Sequence, residues 1–430
     1  MSEYIKNLET PIAVVGLGKS GEATLKLLSL CGMDSSQVFT CDAKAPNAHF
    51  SDPSLMLAQI NPRTIVVSPG VPLASSWVEE ARSGGAHITS DISLAASCMK
   101  SEKIIGITGS VAKSTTVSIL GAALKNFSDS YFVGGNLGTP FSVYAAEVIS
   151  QKRKRAEWVV LELSSYQLEN ANLLKLNHSA ITFLSPNHLE RYTDLNHYYE
   201  TKWKIESLTL GSIFVNRNGG DNKSFILPKK AARSIFVDPK MEELKHLRLS
   251  EAQLIGEHNQ DNLALAALIA QECQWPQEAF VGMKIFKGLE HRLENCGIYR
   301  GVRYINDSKA TSMDSVLTAA KGVAASYPQS QVYLLLGGRD KNLPWEQLRS
   351  LKEISNLKFV FFGECRKTAQ EKSQLMGNSF STLKELLVNI ATELSEGDAL
   401  LLSPGGTSLD EFKSFEDRGR FFKEFATKQV

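Results

Sequence analysis

No stretch of the 430-residue chain comes near the roughly 18 consecutive apolar residues of a membrane-spanning helix, and the opening MSEYIKNLET is polar, with no apolar signal core. These absences predict a cytoplasmic protein, neither secreted nor membrane-spanning. Net charge is also missing: 47 Lys and Arg stand against 46 Asp and Glu, a formal charge of +1. Such a chain has no general attraction to nucleic acid or an anionic lipid surface, so any anionic ligand must be held by a local site. Cysteines are few and scattered (Cys31, Cys41, Cys98, Cys273, Cys296, Cys365), with no CxxC pair or CxxC…HxxxH spacing. That excludes a zinc site of this kind and suits a reducing compartment. Internal repeats and low-complexity segments are absent too, and at 43% hydrophobic and 22% charged residues the composition excludes a disordered or fibrous chain. The one basic run, Lys152-Arg153-Lys154-Arg155, lacks interleaved aromatics and reads as a solvated loop.

What is present is a recurring unit. Short apolar, β-branched runs lead into Gly-containing turns and then helical patterns: IAVVG, TIVVS, KIIGITG, EWVVLEL, SAITFL, RYIND, VYLLLGG, KFVFFG and ALLLSPGG. This predicts an α/β fold of βαβ units with mostly parallel sheets, and runs that stay apolar through four or five positions predict strands covered by helices on both faces. At roughly 150 residues per domain the length predicts about three domains. Seams near Lys100–Lys103 and Glu294–Arg300 give domains 1–100, 101–295 and 296–430.

Two glycine-rich turns carry chemistry. Gly16-Leu17-Gly18-Lys19-Ser20-Gly21 follows the run IAVVG and opens a helical pattern, and Asp42 ends the next strand about 20 residues on, as in a dinucleotide fingerprint. Its physics is less specific than that reading: backbone at glycine approaches a diphosphate, a helix N-terminus stabilises the charge, and the acid takes sugar hydroxyls or a ring N–H, so any nucleotide diphosphate fits. The second turn, Gly109-Ser110-Val111-Ala112-Lys113-Ser114-Thr115-Thr116, lies between the strand KIIGIT and an apolar helix, as a P-loop does. Lys113 is placed to reach the β- and γ-phosphates and Ser114 to ligate Mg²⁺. The spacing departs from GxxxxGK[ST]: Ala112 stands where glycine usually precedes the lysine, a position where the backbone must approach phosphate closely.

Along nearly its whole length the chain resembles the Mur ligase family of ATP-dependent amide-forming enzymes. The resemblance is carried, in family order, by GITGSVAKSTT, GGNLG, LELSSYQLE, SPNHLERY, YYETKWKI, GEHNQDNLALAA, GLEHRLE, INDSKATSMDS, LLLGGRDKN and LLSPGGTSLDEFKSFEDRGRFF. It implies three domains: a Rossmann-like N-terminal domain for a UDP-linked substrate, a central P-loop ATPase-type parallel-sheet domain, and a Rossmann-like C-terminal domain for an amino acid. The activity implied is ATP-dependent joining of D-glutamate to UDP-N-acetylmuramoyl-L-alanine, by a monomer with no nucleic-acid partner. A carboxylate is a poor electrophile, so ATP must first turn it into an acyl phosphate, and positive charge must gather round the phosphoryl group.

The resemblance also assigns residues. Gly109, Ser110, Ala112, Lys113, Ser114 and Thr115 hold ATP phosphates, with Asn259, Asn262, Arg292 and Asp307 as further nucleotide contacts. Two Mg²⁺ sites draw on Ser114, Glu162, His188 and Lys202, with Lys202 converted by CO₂ into an anionic carbamate. Lys204 stands nearby as a competitor for that role. Asn187 replaces the family's usual aspartate before His188. Gly18, Ser20, Asp42, Lys44, Ser68 and Gly70 hold the UDP-sugar, and Asn136 lies near the reacting carboxylate. Lys309, Thr311, Lys341, Ser408 and Phe415 hold D-glutamate, with Ser408 expected at a helix N-terminus, although SPGGTS departs from the family's Ala-Cys-Ala segment there. Two rivals remain at this point. One is a non-catalytic binding homologue with an impaired P-loop. The other is a nicotinamide-dependent oxidoreductase built on Gly16–Gly21, which leaves the second turn without a purpose.

Overall fold

The computed structural model describes residues 2–187, 191–229, 231–256 and 258–428, and these build three sheets. The first is fully parallel: β1 (Ile12–Val15), β2 (Val38–Cys41), β3 (Thr64–Val67) and β4 (His87–Ser90), in the order β2-β1-β3-β4. β1 and β3 are buried at every position, as expected for β-branched runs covered on both faces. The helix Lys19–Leu30 follows β1. It buries Gly21, Ala23, Thr24, Leu27 and Leu28 along one stripe and ends at Cys31, before Gly32 at φ 86°.

The second sheet is also parallel: β5 (Lys103–Thr108), β6 (Tyr131–Gly135), β7 (Trp158–Glu162), β8 (His178–Ile181), β9 (Ile213–Asn216) and β10 (Ser234–Val237), ordered β10-β9-β8-β5-β7-β6. The chain builds first to one side of β5 and then to the other, so the carboxyl end of β5 lies at the point where strand order reverses, the usual ligand crevice of such sheets. The third sheet contains β11 (Glu294–Tyr299), β12 (Val302–Asn306), β13 (Val332–Gly337), β14 (Leu357–Phe362), β15 (Gly377–Phe380) and β16 (Ala399–Gly405). Its order is β11-β12-β16-β13-β14-β15, with β11 antiparallel to β12 and the other pairs parallel.

The first two sheets belong to one compact unit, Met1–His246 with Asp261–Met283, and the third to another, Leu247–Gln260 with Lys284–Val430. Within the first unit one core serves both sheets. Leu27 and Leu28 of the helix after β1, and Ile92, Leu94 and Ala95 of the helix Asp91–Ser97, share it with Phe141, Tyr144, Ala145 and Val148 of the helix Phe141–Ile149. Each large side chain so buried contributes about 1.5–3 kcal/mol. The basic run is less solvated than its sequence suggests. Arg155 pairs at 2.7 Å with the buried Glu102 carboxylate, which also accepts from Tyr144, so one of its four cations is a structural anchor. In the second unit the sheet is covered on one face by the helix Met313–Ser326 and Trp345, and on the other by the helices Leu383–Ile390 and Phe415–Thr427. Among the described residues no helix is long and apolar enough to cross a membrane.

Candidate active site

The turn after β1 closes on itself. A Cβ at Gly21 would fall 2.0 Å from the Gly16 carbonyl oxygen, so only glycine lets the helix start this close to the strand end. Asp42, at the end of β2, accepts from the Leu17 N–H at 2.6 Å and the Lys44 N–H at 2.8 Å. These backbone donors, Leu17 first, hold its carboxyl below the usual carboxylate range, so it stays ionised while bracing the turn. The Ser68 hydroxyl donates to the Gly16 carbonyl at 2.7 Å. A cavity of about 780 Å³ opens above, lined by Gly16, Gly18, Ser20, Asp42, Lys44, Ser68 and Gly70 from the first sheet and by Asn136, Pro140 and Gln167 from the second. Its size lies within the range of small-molecule sites. All six first-sheet residues expected to hold a UDP-sugar line it.

The second turn leaves β5 with Gly109 at φ 150°, where a Cβ would sit 2.1 Å from Thr182 Oγ1. Ala112 is left-handed (φ 67°, ψ −4°) and immediately precedes the helix Lys113–Phe127. It is held on both sides: Thr116 donates its N–H (3.1 Å) and hydroxyl (3.2 Å) to the Ala112 carbonyl, and Thr182 donates to the Val111 carbonyl at 2.6 Å. Glu162, at the end of β7 and 2% exposed, is the hub of the site. Its Oε2 accepts from the Ser114 hydroxyl at 2.7 Å and its Oε1 from the Asn136 amide at 2.7 Å. One buried carboxylate thus joins the P-loop to a residue lining the cavity, with both oxygens satisfied as burial demands.

Two lysines converge on the same loop. The Lys113 ammonium donates to the Gly109 and Ser110 carbonyls at 2.9 and 3.1 Å, and the Lys202 amine reaches the Gly109 carbonyl at 2.8 Å from the helix Leu195–Trp203. Lys202 is 2% exposed and lies over the Tyr198 ring, whose hydroxyl donates to Ser110 Oγ. Burial above all, then the Lys113 charge, push the Lys202 amine well below the ordinary lysine pKa, with Glu162 opposing. Burial of this kind disfavours the charged form of the amine relative to the neutral one. Lys204 is exposed and donates instead to the Glu169 carbonyl at 3.3 Å. His188 lies outside the described residues. Among those described, no group of three or more His, Cys, Asp and Glu gathers to hold a metal. Ser114 with Glu162 is a hard-oxygen pair of the sort that suits Mg²⁺, which takes one or two protein ligands and completes its shell with phosphate and water. Asn262 is buried, with its side-chain amide 3.3 Å from the Thr116 hydroxyl.

In the second unit Asp307, Lys309 and Thr311 follow the carboxyl end of β12, Lys341 that of β13 and Ser408 that of β16, whereas Arg292 precedes β11, Asn259 lies in the helix His258–Glu272 and Phe415 opens a helix. Asp307, after β12, is buried and accepts from the Leu293 N–H and the Ser403 hydroxyl, and burial raises its carboxyl to about 7. Arg292 is exposed, and the Asn259 amide donates to the Ile255 carbonyl at 2.6 Å. The Lys309 ammonium lies 3.9 Å from the Phe415 ring centre, while Thr311 and Lys341 are exposed. Ser408 differs from expectation. It is buried in a turn whose Phe412 N–H donates to its carbonyl at 2.8 Å, and the helix begins only at Phe415, because Ser414 supplies the cap by accepting from the Asp417 N–H. Arg418, not singled out from the sequence, is fully buried and ties Ser308 to the Gly406 carbonyl. Gln167 was missed because Ser164-x-x-Gln167 forms a capping box, a pattern that explains itself without a ligand.

Residues 107–235 match the Mur ligase middle domain, and over nearly the full chain the sequence is 31% identical to a protein of Anaeromyxobacter dehalogenans (98% of each chain covered) and 32% identical to one of Myxococcus xanthus (96% and 97%). The chain belongs to the Mur ligase family. Both of those relatives carry the name UDP-N-acetylmuramoylalanine--D-glutamate ligase. Solved structures share the three-domain α/β fold. UDP-N-acetylmuramate-alanine ligase of Thermotoga maritima superposes with a TM-score of 0.55 at 15% identity, covering 98% of this chain and 100% of the other. MurF of Acinetobacter baumannii does so with 0.57 at 16%, covering 96% and 93%.

Proposed function

We propose that this chain is the ATP-dependent ligase that adds D-glutamate to UDP-N-acetylmuramoyl-L-alanine through an acyl phosphate, in the cytoplasmic assembly of peptidoglycan precursor, and that it acts as a monomer. The observation that carries this reading is Glu162, gripped by Ser114 of the P-loop on one side and by Asn136 of the cavity wall on the other. A nucleotide phosphate and the carboxylate end of a cavity-bound substrate therefore have a common meeting point.

In this reading the chain divides at 1–100, 101–295 and 296–430. The N–H groups of the Gly109–Thr115 turn and the Lys113 ammonium hold the phosphates, and Lys113 leaves its present carbonyl acceptors to do so. Ser114, Glu162, His188 and Lys202 hold two Mg²⁺ ions, which when bound offset the phosphate charge. Burial that disfavours the Lys202 ammonium suits the amine to addition to CO₂: the nitrogen lone pair forms the N–C bond as one C=O π pair moves onto oxygen, a proton passes from the nitrogen to solvent, and the product is a carbamate anion that can face a cation where an ammonium cannot. Asn259, Asn262, Arg292 and Asp307 serve the nucleotide. Lys309, Thr311, Lys341, Ser408 and Phe415 serve D-glutamate, whose two carboxylates require cations and hydroxyls.

The oxidoreductase alternative uses the first turn alone and gives Lys113, Ser114, Glu162 and Lys202 no role. The non-catalytic alternative leaves the same four groups assembled without a purpose. Incubation with ATP, Mg²⁺, UDP-N-acetylmuramoyl-L-alanine and D-glutamate should yield a product heavier by one glutamyl residue by mass spectrometry. Binding of NAD with no binding of UDP, or product formation from a different amino acid, would overturn the reading.

A further inference from the structure

The cavity wall Ser68–Val71 is held from behind by a part-buried ion pair that the catalytic reading does not use. The Arg191 guanidinium meets the Glu169 carboxylate with two parallel bonds, Nε to Oε1 at 3.0 Å and Nη2 to Oε2 at 2.7 Å, with the side chains only 9% and 13% exposed. Its remaining N–H groups point the other way, Nη1 to the Pro69 carbonyl and Nη2 to the Val71 carbonyl, each at 3.2 Å. The guanidinium carbon lies over the Tyr166 ring, 4.0 Å from its centre, and the Tyr192 hydroxyl donates to Glu169 Oε1 at 2.9 Å.

The two carbonyls flank Gly70, which lines the cavity, and Glu169 follows by two residues Gln167, which lines the same cavity from the second sheet. One guanidinium therefore bridges the two walls. Only arginine suits the position: its rigid fork pairs with a carboxylate on one edge while donating to carbonyls on the other, and its delocalised cation lies over a tyrosine ring. A lysine ammonium keeps the charge and can satisfy one of these partners at a time.

We propose that Arg191 and Glu169 are positioning residues for the UDP-linked substrate, fixing the Ser68–Val71 wall against the Gln167 wall at the width the substrate needs. This rests on the reading of the cavity as that substrate's site. Among the described residues the Arg191 and Glu169 side chains bond to neither the P-loop nor the second unit, so the loss of the clamp should be felt by one substrate and not by the others.

The test measures KM for each of the three substrates, kcat, the Kd for UDP by calorimetry, and the thermal midpoint, in wild type, R191K, E169Q and the double variant. The single variants should raise KM for the UDP-linked substrate and the Kd for UDP about tenfold or more, as expected for losing charge-assisted bonds, with KM for ATP and D-glutamate and kcat within about twofold. Because the two residues act as one unit, the double variant should cost about as much as one single variant. Unchanged UDP affinity in folded R191K and E169Q overturns the clamp. So does an equal rise in all three KM values with a lowered thermal midpoint, which marks a merely structural pair. A wild-type protein that fails to bind UDP at all would instead remove the cavity assignment on which the clamp depends.

Discussion

Replacing Ala112 with glycine tests the physics of the P-loop most sharply. The residue sits at φ 67°, where a Cβ crowds the carbonyl and costs about 1–2 kcal/mol relative to an unstrained backbone. Glycine removes that cost and gives back part of it, about 0.4–1 kcal/mol, as greater freedom of the unfolded chain. The net relief is about 1 kcal/mol, and the bonds from Thr116 and Thr182 leave the loop little room to dissipate the strain elsewhere. Where that relief appears depends on when the strain arises. If the loop holds its left-handed turn throughout, Ala112→Gly raises the thermal midpoint by about 2–4 °C for a cooperative unit of 150–250 residues. If the turn tightens only around phosphates, KM for ATP falls about fivefold, since each 1.4 kcal/mol is tenfold. KM for D-glutamate stays nearly constant in both cases. Differential scanning calorimetry and steady-state kinetics on the same preparation read the two quantities together. A glycine variant with an unchanged midpoint and an unchanged or raised KM for ATP would refute the claim that alanine strains this loop.

Lys202→Ala should abolish ligation while the far-ultraviolet circular dichroism stays that of the wild type, and short carboxylic acids at high concentration should restore part of the activity. Lys204→Ala should remain active, and the reverse pattern would place the carbamate on the wrong lysine. Lys341→Ala should raise KM for D-glutamate at least tenfold, the loss of a charge-assisted contact of about 1.5–3 kcal/mol, with KM for ATP nearly fixed; equal changes in both would contradict a glutamate-facing role. Asp91 is buried with one carboxylate oxygen unpaired, and burial raises its pKa from 3.8 to about 6. The folded state therefore binds more protons than the unfolded between about pH 4 and 6, and stability falls as pH rises through that window. Asp91→Asn should shrink the difference in denaturation midpoint between pH 4.5 and pH 7, and an identical difference in variant and wild type would count against the assignment.

The interior strands were readable because burial on both faces demands long apolar, β-branched runs. IAVVG, TIVVS, KIIGITG, VYLLLGG and ALLLSPGG all became β1, β3, β5, β13 and β16. The strands that escaped were nearly all at sheet edges, β4, β6, β10, β11 and β15. There burial is incomplete, most of all in Gly377–Phe380, which is exposed along most of its length, and the periodic signal fades. Among site residues, those whose role lies in a contiguous loop, such as Lys113 and Ser114, could be read locally. Glu162 was legible as an acid inside an apolar run, but its bond to Asn136 was not, since it depends on β6 and β7 being neighbours. The Ser408 turn was misjudged because a serine before a helical pattern looks like a cap, and Ser414, six residues on, takes that part. Arg191 was invisible for a related reason: two of its acceptors are backbone carbonyls far away in sequence, which no side-chain pattern announces.

The central claim is that one site couples ATP cleavage to amide formation between two particular substrates, and phosphate release with each component omitted in turn tests it most directly. The account predicts release only when ATP, Mg²⁺, UDP-N-acetylmuramoyl-L-alanine and D-glutamate are all present, with near-background rates when either the UDP-linked substrate or D-glutamate is left out. Undiminished release in the absence of both would contradict it and leave the P-loop as that of a simple ATPase.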